Sequence, residues 1–232
     1  MTNLAAFPVA RKWPAQYPER LQLYSLPTPN GVKVSVMLEE TGCPYEAHRV
    51  SFDANDQRSL EFLALNPYGK IPAIIDPDGP GAAPLPLFES GAILLYLAEK
   101  TGQFLPADPA RRYETLQWLM FQIGGVGPMF GQVGFFNKFA GRTWEDPRPR
   151  ERYVGEARRL LEVLNARLSA RQWIMGETYS IADIAIFPWV RNLLGYYEAG
   201  ELVGIAAFPH VTRALQEFLA RPAVVRGLEI PR

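Results

Sequence analysis

The hydrophobic pattern of this sequence changes character near residue 103, and that change limits the folds open to the chain. Before it, short strand-like runs such as 21–26 and 45–50 alternate with helical segments. After it, strand-like alternation disappears and long helical periodicities cover 110–139 and 149–170. The pattern therefore predicts an α/β first half followed by an all-α, entirely helical second half.

The order of elements in the first half predicts a mixed sheet. A helix over 32–40 lies between the two first strands, and a strand–helix–strand connection pairs its strands in parallel. The short turn at 77–81 separates strands 71–76 and 85–88, which predicts an antiparallel pair. A further helix over 90–100, stopped by Gly102, ends this half.

Composition shifts place the domain boundaries. Residues 1–20 are rich in proline, arginine and aromatic residues without a period, so we expect an extended arm that either stays loose or packs on a neighbour. The predicted sheet domain spans 21–102, a linker spans 103–109, and the helical domain spans 110–232. Two helices at 180–194 and 208–220 belong to the last of these.

Charge and hydrophobicity exclude several classes of function. The 24 Lys and Arg residues balance 24 Asp and Glu residues, which gives no electrostatic attraction toward nucleic acid or anionic membrane. The longest apolar stretches, such as 92–98, are far shorter than the ~20 residues of a membrane helix. The first twenty residues lack the apolar core of a secretory signal, so we expect a cytoplasmic protein.

Few residues are available for metal or triad chemistry. Cys43 is the one cysteine, so an internal disulfide and a CxxC redox pair are both excluded. His48 and His210 are too few for a zinc cage and leave little room for a histidine-based triad. We therefore expect no metal, and ordinary structural roles for both histidines.

Thr28-Pro29-Asn30 stands where the first strand gives way to the first helix. Ligands of open α/β sheets gather at the carboxyl ends of strands, and a helix N-terminus offers free N–H groups and partial positive charge. A hydroxyl and an amide there could stabilise a thiolate or a carboxylate. Capping of the helix explains the same residues.

Two further motifs occupy comparable junctions. Pro72 opens the third strand; a cis Ile71–Pro72 bond would offer the backbone of Ile71 to an extended peptide, although a plain strand-initiating proline is the commoner case. Glu89-Ser90 follows the fourth strand, where Ser90 either caps the next helix or binds a ligand carboxylate.

Ser180 and Asp183 have the spacing of a capping box at the start of a helix in the second half. Here the structural interpretation prevails. Asp183 is predicted to hold a buried helix start and not to do chemistry.

Four segments together resemble the glutathione transferase superfamily: LYSLPTPNGVKVSVMLEE, NPYGKIPAIID, LFESGAILLYLAEKTG and YSIADIAIFPW. Within it they are most similar to the nu-class branch of bacterial disulfide-bond reductases. The resemblance covers the chain from Leu21 onward and implies a thioredoxin-like N-terminal domain followed by an all-helical C-terminal domain.

The resemblance also implies roles for individual residues. Thr28 and Asn30 would face the sulfur of bound glutathione and act in place of a catalytic Tyr, Ser or Cys. The backbone of Ile71, before Pro72, would bind the cysteinyl unit of glutathione, and Glu89 and Ser90 would bind its γ-glutamyl end. Gln57 and Lys70 would bind its glycyl or backbone portions. Arg152 would close over the ligand from the helical domain.

The implied function is a glutathione-dependent disulfide-bond reductase in which the thiolate of bound glutathione attacks a disulfide substrate. Cys43 falls after the first helix and is expected to be inert. A conventional transferase that conjugates electrophiles and a non-catalytic glutathione-binding module are the alternatives. The resemblance further implies a homodimer, with glutathione or glutathione disulfide as partners.

Overall fold

The computed structural model describes residues 4–232, which form two compact units. The first runs to Gly102 and includes Pro222–Arg232; the second is Gln103–Arg221. The elements of the first unit are α1 (Val9–Lys12), β1 (Leu21–Ser25), α2 (Pro29–Thr41), β2 (Tyr45–Arg49), α3 (Leu60–Leu63), β3 (Ala73–Asp76), β4 (Leu85–Phe88), α4 (Ser90–Thr101) and α11 (Pro222–Gly227).

The four strands form one mixed sheet in the order β2-β1-β3-β4. β1 and β2 are parallel, while β3 is antiparallel to both β1 and β4. This is the predicted thioredoxin-like arrangement, and the parallel pair and the antiparallel hairpin are both confirmed. β3 begins at Ala73 and not at Ile71, because Pro72 has no N–H to give to a strand ladder.

Local sequence sets both ends of α2. Thr28 is its N-cap, Pro29 occupies the first helical position, and Gly42 ends it with a left-handed φ of 67°. Residues 31–38 are all buried, and α2 packs against α4 and α11. The Ser35 hydroxyl donates a 2.6 Å hydrogen bond to the Gly227 carbonyl, which ties α11 to this helix.

The expectation of an extended N-terminal arm is wrong for residues 4–12, most of which are helical. Residues 4–6 form a 3-10 turn and 9–12 form α1, and Leu4 and Val9 are buried in the cluster that holds Tyr24 and Phe62. The Glu46 carboxylate accepts 2.8 Å hydrogen bonds from two backbone N–H groups of the segment. Burial of its spaced apolar residues outweighs the local effect of its prolines.

The second unit is entirely helical, as predicted. Its helices are α5 (Pro109–Phe121), α6 (Gly127–Asn137), α7 (Arg148–Leu168), α8 (Ile181–Leu194), α9 (Gly200–Val203) and α10 (Pro209–Leu219). The predicted helix over 110–139 is interrupted by a π-helical turn at Gln122–Val126, which contains two consecutive glycines. The α11 helix follows this unit in the chain but packs on the first unit.

The predicted capping box is confirmed at the start of α8. Asp183 is fully buried and accepts hydrogen bonds from the backbone N–H groups of Ser180 (2.9 Å) and Ile174 (2.8 Å). The carboxylate therefore joins the loop before α8 to the first turn of that helix. Among the helices formed by residues 4–232, none is long and apolar enough to cross a membrane.

Candidate functional site

Three segments of the first unit meet at one edge of the sheet. β1 runs toward this edge and ends at Ser25, β4 ends there at Phe88, and β3 begins there at Ala73. In the register, Ala73 lies beside Tyr24 on one side and beside Phe88 on the other. The residues that continue these strands are therefore neighbours, and they are the predicted site residues 28–30, 71–72 and 89–90.

Thr28 and Asn30 lie at the N-terminus of α2, and both are half-buried. The Thr28 hydroxyl oxygen accepts a 3.3 Å hydrogen bond from the Gly31 N–H, so the capping interpretation is confirmed. A hydroxyl that accepts one hydrogen bond still has its own proton to donate. Capping and donation to a ligand at this helix terminus are therefore compatible.

The Ile71–Pro72 peptide bond is cis, and both residues are buried. The loop before it is fixed by Asn66, which is 2% exposed. Its side-chain amide donates a 2.6 Å hydrogen bond to the Lys70 carbonyl and accepts a 3.0 Å bond from the Tyr68 N–H. Asn66 is not among the site residues predicted from the sequence, although Asn before Pro is a common turn signal.

Glu89 and Ser90 form the junction between β4 and α4. Glu89 is exposed and has a φ of 71°, an uncommon backbone conformation for a residue with a side chain. Ser90 is buried and is the first helical residue of α4, so the interpretation of Ser90 as the cap is wrong: the cap position belongs to Glu89. The Ser90 N–H is one of the free donors at this helix terminus.

Lys33 also lies at this site and is not among the residues predicted from the sequence. Lys33 is fully buried on α2, and its Nζ lies 3.2 Å from the Ser90 Oγ. Burial lowers the pKa of Lys33 to about 7, an effect that the charge of Glu89 opposes. In the sequence, a lysine between two valines gives no sign of burial, and only the burial of α2 on all sides explains it.

Gln57 and Lys70 line one cavity of about 570 Å³ in the first unit. The Gln57 Oε1 is buried and has no hydrogen-bond partner among the described residues, so it is free to accept from a ligand N–H. Lys70 is exposed, with its Nζ 5.8 Å from the centre of the Tyr68 ring. The other lining residues are Phe52, Arg58, Leu63, Pro67, Tyr68 and Gly69.

Cys43 lies at the far end of α2 from this edge, Tyr24 is buried in the core beside it, and Arg152 belongs to the other unit. Cys43 lies two residues beyond the end of α2, whereas Thr28 directly precedes its first residue. Burial, and then the charge of Asp76, raise the pKa of the Cys43 thiol. Tyr24 is 1% exposed and stacks on His48, and burial raises its pKa well above the usual range. Arg152 is exposed on α7 of the second unit, and its role toward a ligand stays a prediction.

Two family models match the chain: the glutathione S-transferase N-terminal domain over residues 19–99 and the glutathione S-transferase C-terminal domain over residues 129–221. Disulfide-bond oxidoreductase YfcG of Escherichia coli (strain K12) is 46% identical over 209 residues, which cover 90% of this chain and 94% of that protein. The chain belongs to the glutathione transferase superfamily.

Solved structures of other glutathione transferases share the fold throughout. One from Burkholderia graminis, described with two glutathione molecules bound per subunit, is 70% identical, has a TM-score of 0.99, and is aligned over 100% of this chain and 97% of that one. One from Pseudomonas putida, described with one glutathione disulfide bound per subunit, is 68% identical with a TM-score of 0.98, and both chains are covered completely. The resemblance to the bacterial nu-class branch is confirmed, and the chain is an enzyme of this superfamily.

Proposed function

We propose that this transferase reduces disulfides with glutathione and uses the thiolate of bound glutathione, not a protein cysteine, as the nucleophile. One observation carries the proposal: Thr28 and Asn30 begin α2 at the edge where all three predicted binding segments meet, while Cys43 lies beyond the opposite end of that helix. Thirteen helical residues separate the two ends, a length of about 20 Å. Cys43 is too far from this edge to attack a substrate bound there.

The chemistry at the edge suits a bound thiolate. Glutathione's thiol is mostly protonated at neutral pH, and the thiolate is the reactive form. The N-terminus of α2 carries partial positive charge and free N–H groups, and Thr28 and Asn30 add a hydroxyl and an amide. Each pKa unit by which these groups favour the thiolate corresponds to about 1.4 kcal/mol.

The reaction consumes two glutathiones for each disulfide. The first thiolate forms a bond to one substrate sulfur, the substrate S–S bond breaks, and the departing thiolate takes up a proton. A second glutathione thiolate attacks the glutathione sulfur of the mixed disulfide and releases the second substrate thiol. The substrate gains two electrons and two protons, and glutathione disulfide is the product.

The bound molecules of the similar structures support this proposal. Two glutathiones in the Burkholderia graminis protein and one glutathione disulfide in the Pseudomonas putida protein correspond to the two sides of such an exchange. We extend the same binding to this chain, with Ile71 at the cysteinyl unit, Glu89 and Ser90 at the γ-glutamyl end, and Gln57 and Lys70 at the glycyl or backbone portions. Closure by Arg152, a homodimer and a cytoplasmic location belong to the proposal as well.

The test is a comparison of two substrates under steady-state conditions. We expect 2-hydroxyethyl disulfide to be reduced with a higher kcat/KM than that for conjugation of chlorodinitrobenzene. Dominant conjugation would make the protein a conventional transferase, and no turnover of either substrate would favour a binding module. Cys43→Ser is the control, and full reductase activity in that variant is required by the mechanism.

A further inference from the structure

The hydrogen bond between Lys33 and Ser90 joins α2 to the first residue of α4 inside the first unit. Lys33 lies on α2 just after the first turn of that helix, which contains Asn30, and Ser90 is the first residue of α4. Both side chains are buried, with 0% and 4% exposed, and the Nζ to Oγ distance is 3.2 Å. A fully buried lysine is rare, because placing an ammonium group away from water costs free energy.

The direction of this hydrogen bond determines what Ser90 can do. A protonated lysine only donates, so the Ser90 oxygen must be the acceptor. The hydroxyl proton of Ser90 is then directed to another acceptor. Because Ser90 is also the first residue of α4, its N–H is a free donor at a helix terminus that favours negative charge.

We propose that Lys33 is a positioning residue that holds the Ser90 hydroxyl as a donor toward the α-carboxylate of the γ-glutamyl unit of glutathione. The inference rests on the proposed function, since it assigns a role to Lys33 at the same substrate site. Lys33 itself does not touch the substrate. It acts through Ser90 and adds a positive charge behind the hydroxyl.

The charges around Lys33 agree with this role. At the cap position before α4, Glu89 is a carboxylate that acts on Lys33, and Glu89 is exposed. On α11, Arg226 pairs with Glu39 toward the other end of α2. With its pKa near 7, Lys33 is partly deprotonated at neutral pH, and a second carboxylate beside Ser90 would favour its protonated form. Substrate binding should therefore take up a proton.

The experiment is isothermal titration calorimetry with S-methylglutathione, which lacks a titratable thiol. Titrations near pH 7 in buffers of different ionisation enthalpy measure the proton uptake, which we expect to reach up to about half a proton per site. In Lys33→Met we expect affinity about tenfold lower and no proton uptake. In Ser35→Ala, a matched change of a buried polar residue on the same helix, we expect both to match the original protein.

A second ligand keeps the test independent of any variant. The S-methyl form of 4-aminobutanoyl-cysteinylglycine has the γ-glutamyl amine but lacks the α-carboxylate, so it should bind the unaltered protein without proton uptake. Lys33→Met should bind this analogue as well as the unaltered protein does. Equal loss of affinity for both ligands, or proton uptake with the analogue, would overturn the role of Lys33.

The outcomes separate this inference from the proposed function. If the unaltered protein binds neither ligand, the proposed function fails. If it binds S-methylglutathione with the same affinity and proton uptake as Lys33→Met does, the function stands and the inference is wrong. Circular dichroism of each variant establishes that the comparison is between folded proteins.

Discussion

A Cβ atom added to Gly31 would lie 1.9 Å from the carbonyl oxygen of Leu26. The same atom would lie 2.6 Å from the hydroxyl oxygen of Ser25. The chain between β1 and α2 thus turns so closely on itself that only glycine fits at position 31. Thr28 and Asn30 lie in the same segment, so their positions depend on the close approach of Gly31 to Leu26.

Gly31→Ala should therefore destabilise the protein by about 1–3 kcal/mol, because the backbone has to move to admit the methyl group. Urea unfolding measures the loss. Gly155→Ala is the control, since Gly155 is exposed on α7 with no atom within 4 Å of the added Cβ. That change should stabilise by about 0.5–1 kcal/mol through helix propensity. Equal effects of the two changes would contradict the importance of the tight turn.

Replacement of both Thr28 and Asn30 by alanine should raise the pKa of bound glutathione's thiol. If the thiol pKa rises by about two units, the thiolate fraction at neutral pH falls about 100-fold, but the more basic thiolate is more nucleophilic, so the net rate falls only about tenfold. Above the new pKa the rate should recover. The pH profile of kcat/KM with 2-hydroxyethyl disulfide measures both effects.

Thr28→Ser provides the matched control for that profile. Serine keeps the hydroxyl that accepts from the Gly31 N–H, whereas alanine at position 28 also loses the helix cap, at a cost of about 1 kcal/mol. The profile of Thr28→Ser should coincide with that of the unaltered protein. A uniform loss of rate at every pH in the double variant would show damage to the fold and not to thiolate stabilisation.

Lys33→Met should change how stability depends on pH. The folded-state pKa of Lys33 is lowered to about 7, while an unfolded lysine titrates near roughly 10.4, so between these values the unfolded chain binds the extra proton. The free energy of unfolding of the original protein therefore gains a contribution that rises with pH across this window. The penalty of burying the charge is fully present below about pH 7.

Methionine removes that penalty. The stability of Lys33→Met relative to the original protein should be highest near pH 7 and below, and should decline as the pH approaches roughly 10. Urea unfolding at several pH values measures the difference between the two proteins. A difference that stays constant with pH would contradict the lowered pKa of Lys33.

Asp183→Ala should strongly destabilise the second unit. It leaves the N–H groups of Ile174 and Ser180 buried without their acceptor, at a cost of about 1–3 kcal/mol for each group. Asp108→Ala is the comparison, because Asp108 caps α5 by accepting from the Arg111 N–H but is exposed. There we expect a loss of only about 1 kcal/mol. Similar losses of stability in the two variants would contradict the conclusion that burial makes the loss of Asp183 more costly than the loss of Asp108.

Much of the fold could be predicted because local signals and long-range packing agree. Thr28, Pro29 and Gly42 mark both ends of α2, and the capping box marks the start of α8. The fold of the N-terminal segment is not predictable in the same way. Its local signal is proline-rich coil, whereas its fold depends on the burial of Leu4 and Val9 against a core formed by distant residues.

The site residues also differ in whether a local sequence signal predicts them. The segments at 28–30, 71–72 and 89–90 are recognisable because each follows or precedes a strand and carries a turn or capping residue. Lys33 and Asn66 could not be predicted as site residues, because their importance comes from contacts with the Ser90 hydroxyl and the Lys70 carbonyl. No hydrophobic periodicity indicates such contacts. Side chains that act through a neighbour leave little trace in a single sequence.

The packing of α11 on α2 has a consequence for synthesis on the ribosome. Residues up to Gly102 emerge first, but the second unit must be translated before Pro222–Gly227 can reach the first unit. At ordinary elongation rates that delay is on the order of ten seconds. During it, the face of α2 that later carries Ser35 and Val36 against Gly227 lacks its cover. The first unit therefore stays incompletely packed until α11 has been synthesised and can pack on α2.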